Sequence, residues 1–278
     1  MWADALAVKS RQGLKKTFRK LLRSVANYDP DYYDMYADPA ESLFAQSYLE
    51  HFIRHAREAS LSASPTVLEA GCQTGRLAIP LAKAGFLVTG IDRSGFALRR
   101  AKSHARQNRV SIDWVQGDFM ELKIPLEKLF DMVVCAEVVY QVKHYREMLA
   151  KLAQSVRPGG LLFVSHRLRA YYIVESLRHE APDVARRVAE SSEGLFDSRF
   201  HQAGYFNWQT VSELRTLYAQ LGLSWVDWHP IDRLAWVCQG KVDHLGEAQR
   251  RRWLDLESQL PKEDTSTARY ALGVSKRP

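Results

Sequence analysis

Three acids and a pair of glycines stand where this chain could hold a small molecule. Glu69, Gly71 and Gly75 fall in VLEAGCQTGRL, residues 67–77, where an apolar run breaks into a glycine turn. Asp92 closes the next apolar run, FLVTGID, and Asp118 follows a third, SIDWVQGD. A glycine turn at a strand end lets a ligand approach bare backbone, and its usual guest is a phosphate. Residues 71–76 read Gly-Cys-Gln-Thr-Gly-Arg, which lacks both the third glycine of a dinucleotide fingerprint and the lysine of a P-loop. Acids surround the turn, and no lysines or arginines cluster at the strand ends. That pattern suits a nucleoside with positive charge and no phosphate.

S-adenosylmethionine (SAM) has that chemistry: adenine, ribose, a sulfonium and an α-ammonium. Glu69 could face the ammonium, directly or through water. Asp92, 17 residues past Gly75, could accept from both ribose hydroxyls, because a carboxylate offers two acceptors to a vicinal diol. Asp118 could accept from the adenine amine while the Phe119 N–H meets a ring nitrogen. Taken singly, Asp92 and Asp118 read equally well as helix N-caps; their order on successive strand ends favours the ligand. For removal of an acceptor proton the candidates are His166, His201 and Tyr140, each of which also reads as a structural residue. Tyr32, Tyr33 and Tyr36 could close over the sulfonium through a cation–π contact or simply pack. Cys72, Cys135 and Cys238 are too few and too scattered for disulfides or zinc, so no metal site is expected and a reducing cytoplasm is the simplest home.

These residues need a scaffold of alternating strands and helices, and the sequence supplies one. From Thr66 the pattern is that of a doubly wound parallel α/β sheet. FLVTGI, SIDWVQG, FDMVVCAEVV and LLFVSH follow the first strand, with helices expected over residues 76–84, 95–108 and 145–156 and a turn at Pro158-Gly159-Gly160. SWVDWHP and RYALGVSK read as two final strands. The chain divides into residues 1–62, a basic helix and tyrosine-rich lid; 63–166, the ligand-binding core; 167–207, an inserted cap rich in aromatics and arginines; and 208–278, the rest of the sheet with a helical insertion.

The net charge of +7 is local. Residues 9–23, KSRQGLKKTFRKLLR, hold seven bases between Lys9 and Arg23 and no acid, and the bases outside them equal the 32 acids in number. A nucleic-acid enzyme would spread positive charge over its catalytic face, which argues against such a partner. The segment can form an amphipathic helix that packs on the domain or touches a membrane surface. No apolar run is long enough to span a bilayer.

The motifs together resemble the class I SAM-dependent methyltransferases, particularly the branch with the ubiquinone and menaquinone enzymes. VLEAGCQTGRLAIPLAKAGFLVTGID is similar to that family's first motif and ribose acid, GDFMEL to its adenine motif, and FDMVVCAEVVYQV with LAQSVRPGGLLFVS to its fourth and fifth strands. The resemblance implies a Rossmann-like seven-stranded, mostly parallel sheet whose last strand, RYALGVSK, is antiparallel. It implies that Glu69, Gly71, Gly75, Asp92, Asp118 and Phe119 bind SAM, with Ala136 and Glu137 lining the methionine end. Methyl transfer to an O, N or C atom of a small-molecule acceptor is then expected. RNA or protein methylation through the basic segment, or SAM binding without transfer, are the alternatives. Two positions depart from the family: Gln73 replaces the usual middle glycine, and Gln141 stands where many relatives have histidine.

Overall fold

The computed structural model describes residues 33–123, 128–197, 199–200, 203–234, 236, 245–262 and 268–278. The basic segment 9–23, Tyr32, His201 and Cys238 lie outside them.

The first described helix, α1 (Pro39–Glu58), starts where Asp38 accepts from the N–H groups of Ala40 and Glu41 and Pro39 presets the first turn. It buries Leu43, Ala45, Tyr48, Phe52 and Ala56. Phe52 meets Phe163 of the sheet edge-on, ring centroids 4.9 Å apart. The core then runs β1 (Thr66–Ala70), α2 (Ala78–Lys83), β2 (Leu87–Asp92), α3 (Gly95–Gln107), β3 (Asp113–Gln116), β4 (Phe130–Cys135), α4 (Tyr145–Ser155) and β5 (Val156–Arg167). After it come α5 (Arg169–Arg178), α6 (Pro182–Glu190), β6 (Glu193–Phe196), β7 (Gly204–Asn207), α7 (Val211–Gln220), β8 (Ser224–Ile231), α8 (Glu247–Gln259) and β9 (Tyr270–Lys276).

Seven strands form one sheet in the order β3-β2-β1-β4-β5-β9-β8. The first five are parallel, and β9 runs antiparallel to both β5 and β8, as the resemblance implied for RYALGVSK. Both faces are buried: Val67, Met132 and Phe163 pack towards α1, while Leu68, Val133 and Leu162 pack towards α4 and α7. The central strands accordingly read as unbroken apolar runs. Strand order reverses between β1 and β4, and the crevice beyond their carboxyl ends is where such sheets take ligands.

Three local expectations change. The helix expected from residue 76 starts only at Ala78, because Pro80 has no N–H to give and is tolerated only in a first turn. Pro158-Gly159-Gly160 does not precede the fifth strand but lies inside it. Helix α4 ends at Ser155, and β5 continues from Val156 through a register shift opposite Phe130 and Met132. Gly159 is left-handed there (φ 79°), and a Cβ on Gly160 would sit 2.7 Å from the Asp131 carbonyl. Finally, the cap contains an antiparallel hairpin, β6 with β7, in addition to its two helices. Helix α7 begins as read, with the Thr210–Glu213 capping box in place.

Candidate functional site

The turn after β1 holds Gly71, Gly75 and the non-glycine Gln73 at positive φ (85°, 88° and 45°). A Cβ on Gly71 would lie 2.5 Å from Val138 Cγ2, and one on Gly75 3.0 Å from Ile79 Cδ1. Both glycines are therefore required by the protein's own packing as well as by any ligand. Gln73 costs roughly 1–2 kcal/mol for its left-handed backbone. Its contacts offset this. The Gln73 N–H donates to Asp92 Oδ2 (2.9 Å), its Nε2 to the Tyr33 carbonyl (3.1 Å), and its Oε1 accepts from the Thr74 hydroxyl (3.0 Å).

Glu69, buried at the end of β1, accepts from the Ala78 N–H, while its Oε2 has no partner in the protein. Burial, and then the negative charge of Asp92, push its pKa up to about 8 against the pull of Arg76. A cation bearing N–H donors would satisfy that oxygen, so the site fits the ammonium of SAM. Asp92 is held by two backbone donors, Ser94 N–H at Oδ1 (2.8 Å) and Gln73 N–H at Oδ2 (2.9 Å). Each oxygen keeps a second lone pair for a ribose hydroxyl. The Gly117 N–H donates to the Asp92 carbonyl (3.0 Å), which brings the next segment alongside. There Asp118 is exposed, with Oδ1 accepting from the Met120 N–H (2.9 Å), and Phe119 is buried below it.

Across the crevice, Ala136 and Glu137 follow β4. Glu137 is left-handed (φ 60°), and its N–H donates to the Ser165 hydroxyl (2.6 Å). Its carboxylate meets the Arg76 guanidinium at 2.9 Å, and Arg76 also pairs with Glu41 of α1. Burial alone would raise the Glu137 pKa, but Arg76, Arg269 and Arg167 together hold it below the ordinary value. Arg76 belongs to the glycine turn, yet its role was not readable there, since its partners lie 35 and 61 residues away.

Residues 67–160 match the methyltransferase domain family. That stretch, about a third of the chain, is similar to a methyltransferase domain. Over 110 residues it is 36% identical to a ubiquinone biosynthesis O-methyltransferase of Rickettsia canadensis (strain McKiel), covering 39% of this chain and 46% of that protein. A ubiquinone biosynthesis O-methyltransferase of Coxiella burnetii (strain Dugway 5J108-111) is 36% identical over 99 residues, or 36% of this chain and 42% of that protein. The matched region thus spans less than half the length of these curated relatives. In fold, the chain is similar to magnesium protoporphyrin IX methyltransferase from Synechocystis PCC 6803, solved with bound SAH. The TM-score is 0.57 at 14% identity, over 95% of this chain and all of that one.

Of the residues read as proton acceptors, the two that are described, His166 and Tyr140, are both buried. His166 has no solvent-accessible surface, and its Nε2 lies 2.8 Å from the Tyr218 hydroxyl of α7. Burial lowers its pKa to about 3. It packs the sheet against α7 and has no route to an acceptor. Tyr140 is also buried, its ring 4.2 Å from the Arg167 guanidinium. Arg167, 4% exposed, is further faced by the rings of Tyr171, Tyr172 and Tyr270. The aromatics of the inserted cap build a core of their own: Phe196, Phe206, Trp208 and Tyr172 pack on one another. Cys72 and Cys135 are buried free thiols whose pKa burial raises, as inert small residues. Among the described residues, one group has metal-ligand chemistry, His55 with Asp227 and His229. No described helix is long and apolar enough to cross a membrane.

Proposed function

We propose that this chain transfers a methyl group from SAM to a small-molecule acceptor. The observation that carries the proposal is the buried, half-partnered carboxylate of Glu69 beside a left-handed turn, with Asp92 anchored one strand away. Glu69 takes the ammonium and Asp92 the ribose diol. Asp118 and Phe119 take the adenine, and Ala136 and Glu137 border the methionine end. The sulfonium supplies the leaving group for an in-line displacement by the acceptor. The protein aligns the two partners and keeps water out. The curated relatives being O-methyltransferases, an acceptor oxygen is the favoured target. The two buried free thiols support a cytoplasmic setting. Incubation with methyl-labelled SAM and a metabolite extract, followed by separation of labelled products, is the direct test. A labelled small molecule is expected; label confined to RNA or protein, or none at all, would defeat the proposal.

A pH dependence follows from Glu69. Its folded pKa near 8 lies above the ordinary 4.5, so the free protein holds a proton there that the ammonium must displace. SAM affinity is expected to climb as pH rises from about 5 towards 8, by up to about tenfold per unit. It levels where the SAM amine itself begins to deprotonate, near 7.7–8.0 for an α-amino group. Calorimetry across this range should show the climb in the native chain and not in Glu69→Gln. An identical slope in both would exclude Glu69 from the ammonium site.

A further inference from the structure

The last turns of α1 carry side chains that methyl transfer does not use. His55 of that helix meets His229 of β8 across a buried interface, 4% and 1% exposed. Their Nε2 atoms lie 2.8 Å apart, and Asp227 Oδ2 lies 3.4 Å from His229 Nε2. One ligand atom from each of the three residues falls within 4.8 Å of the others.

Hydrogen positions decide what can hold such atoms together. His55 Nδ1 lies 3.0 Å from a Glu58 carboxylate oxygen, which fixes the proton on Nδ1 and leaves a lone pair on Nε2. His229 Nε2 then faces conflicting demands. The His55 lone pair and the Asp227 oxygen both require it to donate, whereas Arg54 Nη2, nearest to it at 3.0 Å and 3.4 Å from both His229 Nδ1 and His55 Nε2, presents a donor. One ring nitrogen cannot meet all three. A divalent cation between the residues would meet two imidazole lone pairs and one carboxylate lone pair at once.

We propose that His55, His229 and Asp227 bind one divalent transition-metal ion of the zinc class, with solvent completing the shell. Zn–N distances of about 2.0–2.1 Å in a tetrahedral shell would place the two nitrogens roughly 3.3 Å apart, a shift of about half an ångström. Glu58 would then orient His55 as a carboxylate orients a ligating histidine. The His51 ring stacks on His229, centroids 3.9 Å apart and 7° from parallel, so it holds the plane of a ligand and is not one itself. Burial keeps His55 and His229 below the ordinary imidazole pKa, in the neutral form that ligates. Two cations compete for these atoms: Arg54, and Lys262, whose Nζ lies 2.8 Å from both Asp227 oxygens. Both are partly exposed chains, 48% and 43%, free to swing into solvent. The ion would sit about 20 Å along α1 from Glu41, too far to touch the methyl donor. It would tie the helix to the edge strand β8.

Calorimetric titration of the untagged full chain with ZnCl₂, and visible absorption of the Co²⁺ complex, test the site. One equivalent should bind, with d–d bands for Co²⁺. The Tm should rise by about 5 °C or more at metal a hundredfold above Kd. Asp227→Asn keeps the shape of a partly exposed side chain and should weaken binding at least tenfold, as should His55→Gln. Lys262→Ala should tighten it. A native chain that binds neither ion stoichiometrically, or an Asp227→Asn chain that binds as tightly as the native one, would overturn the proposal.

Discussion

Asp92→Ala should raise the Kd for SAM at least a hundredfold while the far-UV circular dichroism stays native. Two hydrogen bonds from a ribose diol to a charged acceptor contribute about 1.5–3 kcal/mol each, and a hundredfold loss corresponds to about 2.7 kcal/mol. The same substitution removes the acceptors for the Gln73 and Ser94 N–H groups. Global stability should therefore fall as well, by roughly 1–3 kcal/mol. Calorimetry with SAM and urea denaturation separate the two effects. Unchanged affinity in a folded variant would remove Asp92 from the site.

Arg76→Ala should cost about 3–5 kcal/mol of stability, because it strands two carboxylates that are only 16% and 13% exposed. Arg76 is 6% exposed and stands between Glu41 and Glu137. Even with it present, burial pushes the Glu41 pKa up to about 7. Without it, Glu137 loses the largest of the charges that hold its pKa down, and both groups rise above their unfolded values. Groups with raised pKa values lose stability as pH rises, so the deficit should be larger at pH 8 than at pH 5. Urea denaturation at both pH values reads this directly. A deficit under about 1 kcal/mol at pH 8 would mean that the pair of acids finds other compensation.

The turn and strand ends proposed for the cofactor could be placed from sequence because their determinants are local. A strand end, a glycine turn and the acid that closes the next strand lie within 24 residues, Glu69 to Asp92, and each declares its geometry through its immediate neighbours. What escaped depends on folding back. Glu41, Arg76 and Glu137 come together only when α1 crosses the sheet, and His55 and His229 are separated by 174 residues. His166 stayed open between chemistry and structure for a related reason. Its place at a strand end suggests chemistry, but strand alternation turns it beneath α7, where Tyr218 already engages it. The cap's aromatics show the same limit: composition announces rings, and only the β6–β7 hairpin decides that they face one another.

Gln73 is the one residue that breaks the glycine pattern of the turn, and it is also a fastening. Its side chain holds the Tyr33 carbonyl, while its neighbour Thr74 receives the Tyr36 N–H at 3.1 Å. Asp34 between them is pinned to His104 and Arg100 of α3. The strip from Tyr33 to Tyr36 is thus stitched to the glycine turn proposed to hold the nucleoside. Any movement of that turn, whether to admit a donor or to let go of its demethylated remnant, pulls on the strip with it. Loading and uncovering would then be one mechanical event, held by the Gln73–Tyr33 and Thr74–Tyr36 ties together.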